Sequence, residues 1–109
     1  MKKFCLALDL IDNPELIAEY ENYHQNIWPE VRKSILDSGI INMEIYSVQN
    51  RLFMIIEAED SFSFEAKNDL DQKNPRVQEW EELMWKFQQQ LPNSKAGEKW
   101  RLMDKIFSL

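Results

Sequence analysis

The chain has a single histidine, His24, in the stretch Glu19-Tyr20-Glu21-Asn22-Tyr23-His24-Gln25-Asn26-Ile27-Trp28-Pro29-Glu30. Imidazole is the side chain whose ordinary pKa, about 6.5, suits giving and taking protons at neutral pH. Tyr20 precedes it at i−4, on the same face of a helix. Pro29 follows closely and must free backbone groups, because it has no N–H and its ring crowds the preceding turn. A helix break beside a histidine and a tyrosine can form a small polar hollow lined by aromatic rings. The same spacing also admits a plainer reading. His24 falls within an apolar stripe of Leu16, Ile17, Tyr20, Tyr23, Ile27, Trp28, Val31 and Ile35, where a hydrogen-bonded core histidine would also fit.

Other chemistries find few residues to work with. Cys5 is the only cysteine, so neither an internal disulfide nor a cysteine-built zinc site is expected. One histidine and no HExxH pattern leave only scattered carboxylates for a metal. Gly39 and Gly97 are the only glycines, so no glycine loop can cradle a phosphate, and no redox or nucleotide cofactor is expected. No Ser-His-Asp grouping stands out for nucleophilic catalysis. Trp28, Trp80, Trp85 and Trp100 are many for this length. Their faces suit either core packing or the C–H faces of a sugar.

The elements that must position these residues follow from the apolar periods. Lys3–Leu10 alternates and reads as a strand, with Phe4, Leu6 and Leu8 on one side. Asn13-Pro14 opens a helix that carries the histidine stripe, breaks at Pro29, and stops at Asp37-Ser38-Gly39. Ile40–Val48 alternates again, with Ile41, Met43 and Ile45 on one face and Asn42, Glu44 and Tyr46 on the other. A two-residue turn at Gln49-Asn50 leads into the returning strand Arg51–Ala58. A second helical region runs through Phe62, Phe64, Ala66 and Leu70, is broken by Asn74-Pro75, and resumes with Val77, Trp80, Leu83, Met84 and Phe87. Leu91–Glu98 reads as a loop, and Trp100–Phe107 as the last strand.

The order βαββαβ predicts a ferredoxin-like α+β domain with helices on one face of an antiparallel sheet. The other sheet face should then be polar in a monomer. Yet Phe53 and Ile55 lie opposite the core-facing Leu52, Met54, Ile56 and Ala58. Two arrangements would cover such a face: a homodimer packed sheet against sheet, or the C-terminal segment folded across it.

With 109 residues and 44% apolar content the chain reads as one domain with one proper core. A net charge of −6 disfavours a nucleic-acid partner. The apolar start at Phe4–Leu8 is cut short by Asp9 and Asp12, so it is not read as a signal peptide. No stretch approaches the roughly 20 apolar residues of a membrane span, and a cytoplasmic protein is expected.

The run from Glu19-Tyr20 through His24 to Ile27-Trp28-Pro29-Glu30 resembles the first-helix signature of the L-rhamnose mutarotase family, EYxxxHxxIWPE. The resemblance extends through Gly39, Ile45-Tyr46, Leu52-Phe53-Met54, Trp80 with Met84, and Ile106-Phe107. It implies a small dimeric α/β barrel that interconverts the anomers of a 6-deoxy sugar without a cofactor. It also implies that His24 is the catalytic proton donor, acting on the ring oxygen, and that Tyr20 and Trp80 bind the sugar. Two positions depart from the pattern. Glu81 stands where the family has a second tryptophan, and Met43 where it has a strand tyrosine. Both are expected to line the pocket, and they leave the sugar open between L-rhamnose and L-fucose, the substrate of a sister group of the same fold. Two other readings share this strand order: a haem-handling or monooxygenase-like enzyme of the wider dimeric α/β-barrel group, and a dimeric binding module without catalysis.

Overall fold

The central strand, β1 (Lys2–Leu10), is flanked on both sides in the structure, a computed structural model describing residues 1–109. After it come α1 (Pro14–Tyr23), α2 (Pro29–Asp37), the hairpin β2 (Ile40–Val48) and β3 (Arg51–Ala58), α3 (Phe64–Gln72), α4 (Pro75–Trp85), and the short β4 (Gln88–Gln89) and β5 (Arg101–Leu102). The sheet runs β2-β3-β1-β4, with β5 also on β1, and each pairing is antiparallel. This is the expected ferredoxin-like α+β arrangement.

Local chemistry sets the helix ends. The Asn13 side chain accepts from the N–H groups of Glu15 and Leu16, and Asn74 does the same for Arg76 and Val77. Each cap precedes a proline at the first helical position, where a missing N–H costs nothing. Pro29 restarts the chain as α2, so the predicted break falls between Tyr23 and Pro29. Gly39 closes that helix at φ +98°, a conformation that a side chain would strain.

Alternation on β1 and β3 works as predicted. Leu6, Leu8, Leu52, Met54, Ile56 and Ala58 are buried beneath the helices. One part of the core joins Leu10, Tyr20, Val31, Leu52, Trp80, Met84 and Phe87. The other joins Leu6, Ile40, Met54, Ile56, Ala58 and Phe62.

Three expectations need correction, and one element was not foreseen. Ile41 does not share a face with Met43 and Ile45. The ladder shifts between Ile40 and Asn42, so a bulge places Ile40 inward and leaves Ile41 exposed. On α3, Leu70 is exposed and Asp71 takes the buried position, accepting from Ser34 Oγ and pairing with Lys67. The final strand is not Trp100–Phe107, since only Arg101–Leu102 pairs with β1, opposite Ala7 and Leu6. One further bond, Met103 N–H to the Cys5 carbonyl, continues the line. Continued in that register, Lys105 would face Lys3, and like charges directly opposed weaken a ladder. Lastly, Gln88–Gln89 forms a strand that the sequence did not announce, pairing with Leu10 and Asp9.

Candidate active site

His24 is the residue that caps the C-terminus of α1, at φ −81° and ψ −7°. Its N–H still reaches the Glu21 carbonyl at 3.1 Å, so the turn holds while the helix ends. The ring folds back on its own helix, with Nδ1 2.8 Å from the main-chain carbonyl of Tyr20. A carbonyl only accepts, so Nδ1 carries the proton and donates it. Nε2 of the neutral ring is then the basic nitrogen. Burial lowers the His24 pKa from its ordinary 6.5, opposed in part by the Tyr20 hydrogen bond, which favours the charged form. The neutral ring therefore prevails at neutral pH.

Aromatic rings surround the imidazole. The Tyr20 ring lies beside it at 4.4 Å between centroids, and Trp80 stands edge-on at 5.6 Å. Trp28, from the break between the helices, meets Trp80 at 5.2 Å, and Tyr23 meets it at 6.3 Å. The Arg76 guanidinium lies 3.8 Å from the centre of the Trp28 ring and also reaches Glu30 and Glu79. Cation–π contact thus ties the broken segment to the start of α4.

The sequence-predicted site residues divide into two groups. His24, Tyr20 and Trp80 are brought together. Met43 is half-buried against the other part of the core, directly across the ladder from Ile56. Glu81 follows Trp80 on α4 and is therefore turned about 100° away around the helix. It is half-buried and makes no ion pair or side-chain hydrogen bond. Tyr20 is more enclosed than a substrate-facing residue was expected to be, at 3% exposure. Its hydroxyl accepts from Gln88 Nε2 at 3.4 Å, and burial raises its pKa above the ordinary value, offset in part by that bond. Gln88, buried at the end of the sheet, was not singled out by sequence reasoning. Its one visible signal is a polar residue directly after Phe87, where the apolar stripe stops.

An α+β ferredoxin-like domain that holds one neutral histidine against a tyrosine and a tryptophan has the parts of a proton-transfer site. Comparison with known proteins places it further. Residues 3–109 match the L-rhamnose mutarotase family, and the chain belongs to that family of isomerases. It is 43% identical to an L-fucose mutarotase of Xanthomonas campestris pv. campestris, over all of this chain and 89% of that protein. It is 32% identical to an L-rhamnose mutarotase of Enterococcus faecalis, over 66% of this chain and 70% of that one. The crystal structure of an L-rhamnose mutarotase from Formosa agariphila superposes with a TM-score of 0.72 at 19% identity, covering 100% of this chain and 99% of that one. At that identity the superposition speaks for the fold.

Proposed function

We propose that this chain interconverts the α and β anomers of a 6-deoxy-L-hexose, with L-fucose the preferred sugar and L-rhamnose the second. The observation that carries the chemistry is the fixed tautomer of His24, which leaves Nε2 the basic nitrogen of a ring packed against Trp80. The full-length 43% identity to an L-fucose mutarotase, against 32% over part of the chain for the L-rhamnose enzyme, supports the order of sugars.

Anomer exchange removes a proton from the O1 hydroxyl, delivers one to the ring oxygen, and breaks the bond between C1 and that oxygen. Both oxygens are bonded to C1, so one nitrogen can serve them in turn. Neutral His24 takes the O1 proton at Nε2, and the resulting imidazolium protonates the ring oxygen as the ring opens to the aldehyde. After rotation about C1–C2 the same steps run in reverse on the other carbonyl face. Such acid–base help is worth about 10²–10⁴ in rate, and the reaction asks for no cofactor. His24 is thus the proton donor to the ring oxygen, but only after acting as base. Tyr20 supplies a hydroxyl to the sugar, and Trp80 packs against its ring or methyl group. Met43 and Glu81, the two positions that depart from the family pattern, bear on which sugar is accepted rather than on the proton transfer.

The active form is proposed to be a homodimer in the cytoplasm, paired through the outer face of the sheet to complete a dimeric α/β barrel. Support comes from that face itself. Tyr46 and Val48 are exposed beside Phe53, around a hollow of about 300 Å³ that Ala7 and Met103 also line. Beyond Met103, which edges the hollow, the C-terminal segment stands in solvent, with Ile106 95% and Phe107 75% exposed. Buried area of this kind is what stabilises a dimer.

The deciding experiment is saturation transfer between the anomeric proton signals of L-fucose and of L-rhamnose by NMR. Accelerated exchange, fastest with L-fucose and absent in His24→Ala, is expected. Folded protein that accelerates neither sugar would remove the reading.

A further inference from the structure

Gln88 is a buried amide directly after the core residue Phe87. It lies between Phe87 and the end of β1, where its backbone pairs with Leu10. An apolar side chain would fill that place without the desolvation cost of an amide. Its one side-chain hydrogen bond crosses 68 residues of sequence, from Nε2 to the hydroxyl oxygen of Tyr20. A phenol has one proton to give and two lone pairs to receive with. Here the oxygen receives from Gln88, and no protein acceptor meets the phenol's own proton. The ring that carries this hydroxyl packs against the imidazole, 4.4 Å between ring centroids, so the phenol belongs to the same cluster as His24. At 3.4 Å the bond is long, as catalytic hydrogen bonds often are before a ligand tightens them.

We propose that Gln88 is a positioning residue for the reaction, its amide holding the Tyr20 hydroxyl so that the phenol's proton is donated to an oxygen of the bound sugar. The assignment rests on the mutarotase reading above and deepens it. Direction is the point. Were the phenol to donate to Gln88, it would have nothing left to give a sugar hydroxyl or ring oxygen. Because it accepts, it becomes a donor into the site. Any negative charge drawn onto the phenol oxygen as a sugar oxygen pulls on its proton is met by the Gln88 N–H. Gln88 thus acts through Tyr20 and need not touch the sugar.

The test is a double-mutant cycle on anomer exchange, with thermal unfolding measured alongside. Gln88→Met keeps the volume and removes the donor, and is expected to lower kcat/KM about five- to tenfold. In a Tyr20→Phe background the same change should cost nothing further, since the group through which it acts is gone. Gln88→Glu is the second variant. Its carboxylate can only accept and should capture the phenol's proton. Its activity relative to wild type should therefore fall as pH rises through the titration of the new carboxyl, a trend that looser packing would not produce. Wild-type kcat/KM in Gln88→Met, an equal loss with and without the Tyr20 hydroxyl, or a flat pH ratio for Gln88→Glu would each overturn the assignment while leaving the mutarotase reading intact. A wild-type protein that accelerates neither L-fucose nor L-rhamnose would overturn both.

Discussion

Nδ1 of His24 stands 2.8 Å from the main-chain carbonyl of Tyr20, one helical turn back along α1. Through that bond the backbone fixes the tautomer of the only histidine in the chain, and the chemistry of the site is assigned to Nε2.

Loss of the ring should therefore remove the reaction with little effect on the fold. His24 is half-buried at the end of a helix, and α1 keeps its Asn13 cap without it. His24→Ala is expected to slow anomer exchange by about 10²–10⁴, the usual share of a positioned proton carrier. Saturation-transfer NMR gives the rate, and circular dichroism checks that the variant is folded.

The pH dependence follows from the sign of the shift. Burial holds the His24 pKa below 6.5 in the folded protein, despite the Tyr20 hydrogen bond. Activity that needs a basic Nε2 is flat at neutral pH and falls as pH drops through this lowered pKa. Stability shifts the same way. The unfolded chain takes up the proton first, so this group's contribution is complete above 6.5 and is lost as pH falls from there through the folded value. Exchange rates and urea midpoints measured on either side of 6.5 check both trends, and His24→Ala should flatten the histidine part of the stability curve.

A charge on the outer sheet face should separate the proposed dimer. Phe53 lies across from Ala7 on β1 and Tyr46 on β2, at the middle of that face. Phe53→Lys is expected to sediment as a monomer where the parent sediments as a dimer. A parent that is monomeric at all concentrations would refute the pairing.

Gly39→Ala isolates a backbone effect. A Cβ built there would meet Glu59 Oε2 at 3.7 Å and Phe62 Cβ at 3.8 Å, which are ordinary contacts. The φ of +98° is what a side chain resists. Destabilisation of about 1–3 kcal/mol is expected by urea unfolding, with the exchange rate of the folded protein unchanged.

What could be read from the sequence, and what could not, divides along physical lines. Strong periods carried β1, β3, α1, α2 and α4, because each alternation or stripe answers to one buried face, while on α3 the expected Ala66 and Leu70 came out exposed. Asn-Pro pairs marked the starts of α1 and α4, because capping is local. The bulge at Ile41 escaped, since two isoleucines in a row fit either register until the partner strand decides. Asp71 escaped because its burial depends on Ser34 and Lys67, and one of those lies 37 residues away. Gln88 escaped for the same reason: its place after Phe87 was visible, but its partner Tyr20 lies 68 residues away. The His24 motif was visible as a motif, while the enclosure of Tyr20 needed the fold.

The exposed tail after β5 adds a kinetic consequence. Ile106, Phe107 and Leu109 stand in solvent, attached by a strand of two residues and one further bond at Met103. If a second copy of the chain is what shelters them, their ordering depends on protein concentration rather than on this chain's own folding. Dilution would then release the tail while β1, β3 and the helices stay folded. Proteolysis of a dilute sample would begin at this end, and the rate of trimming would fall as the concentration is raised.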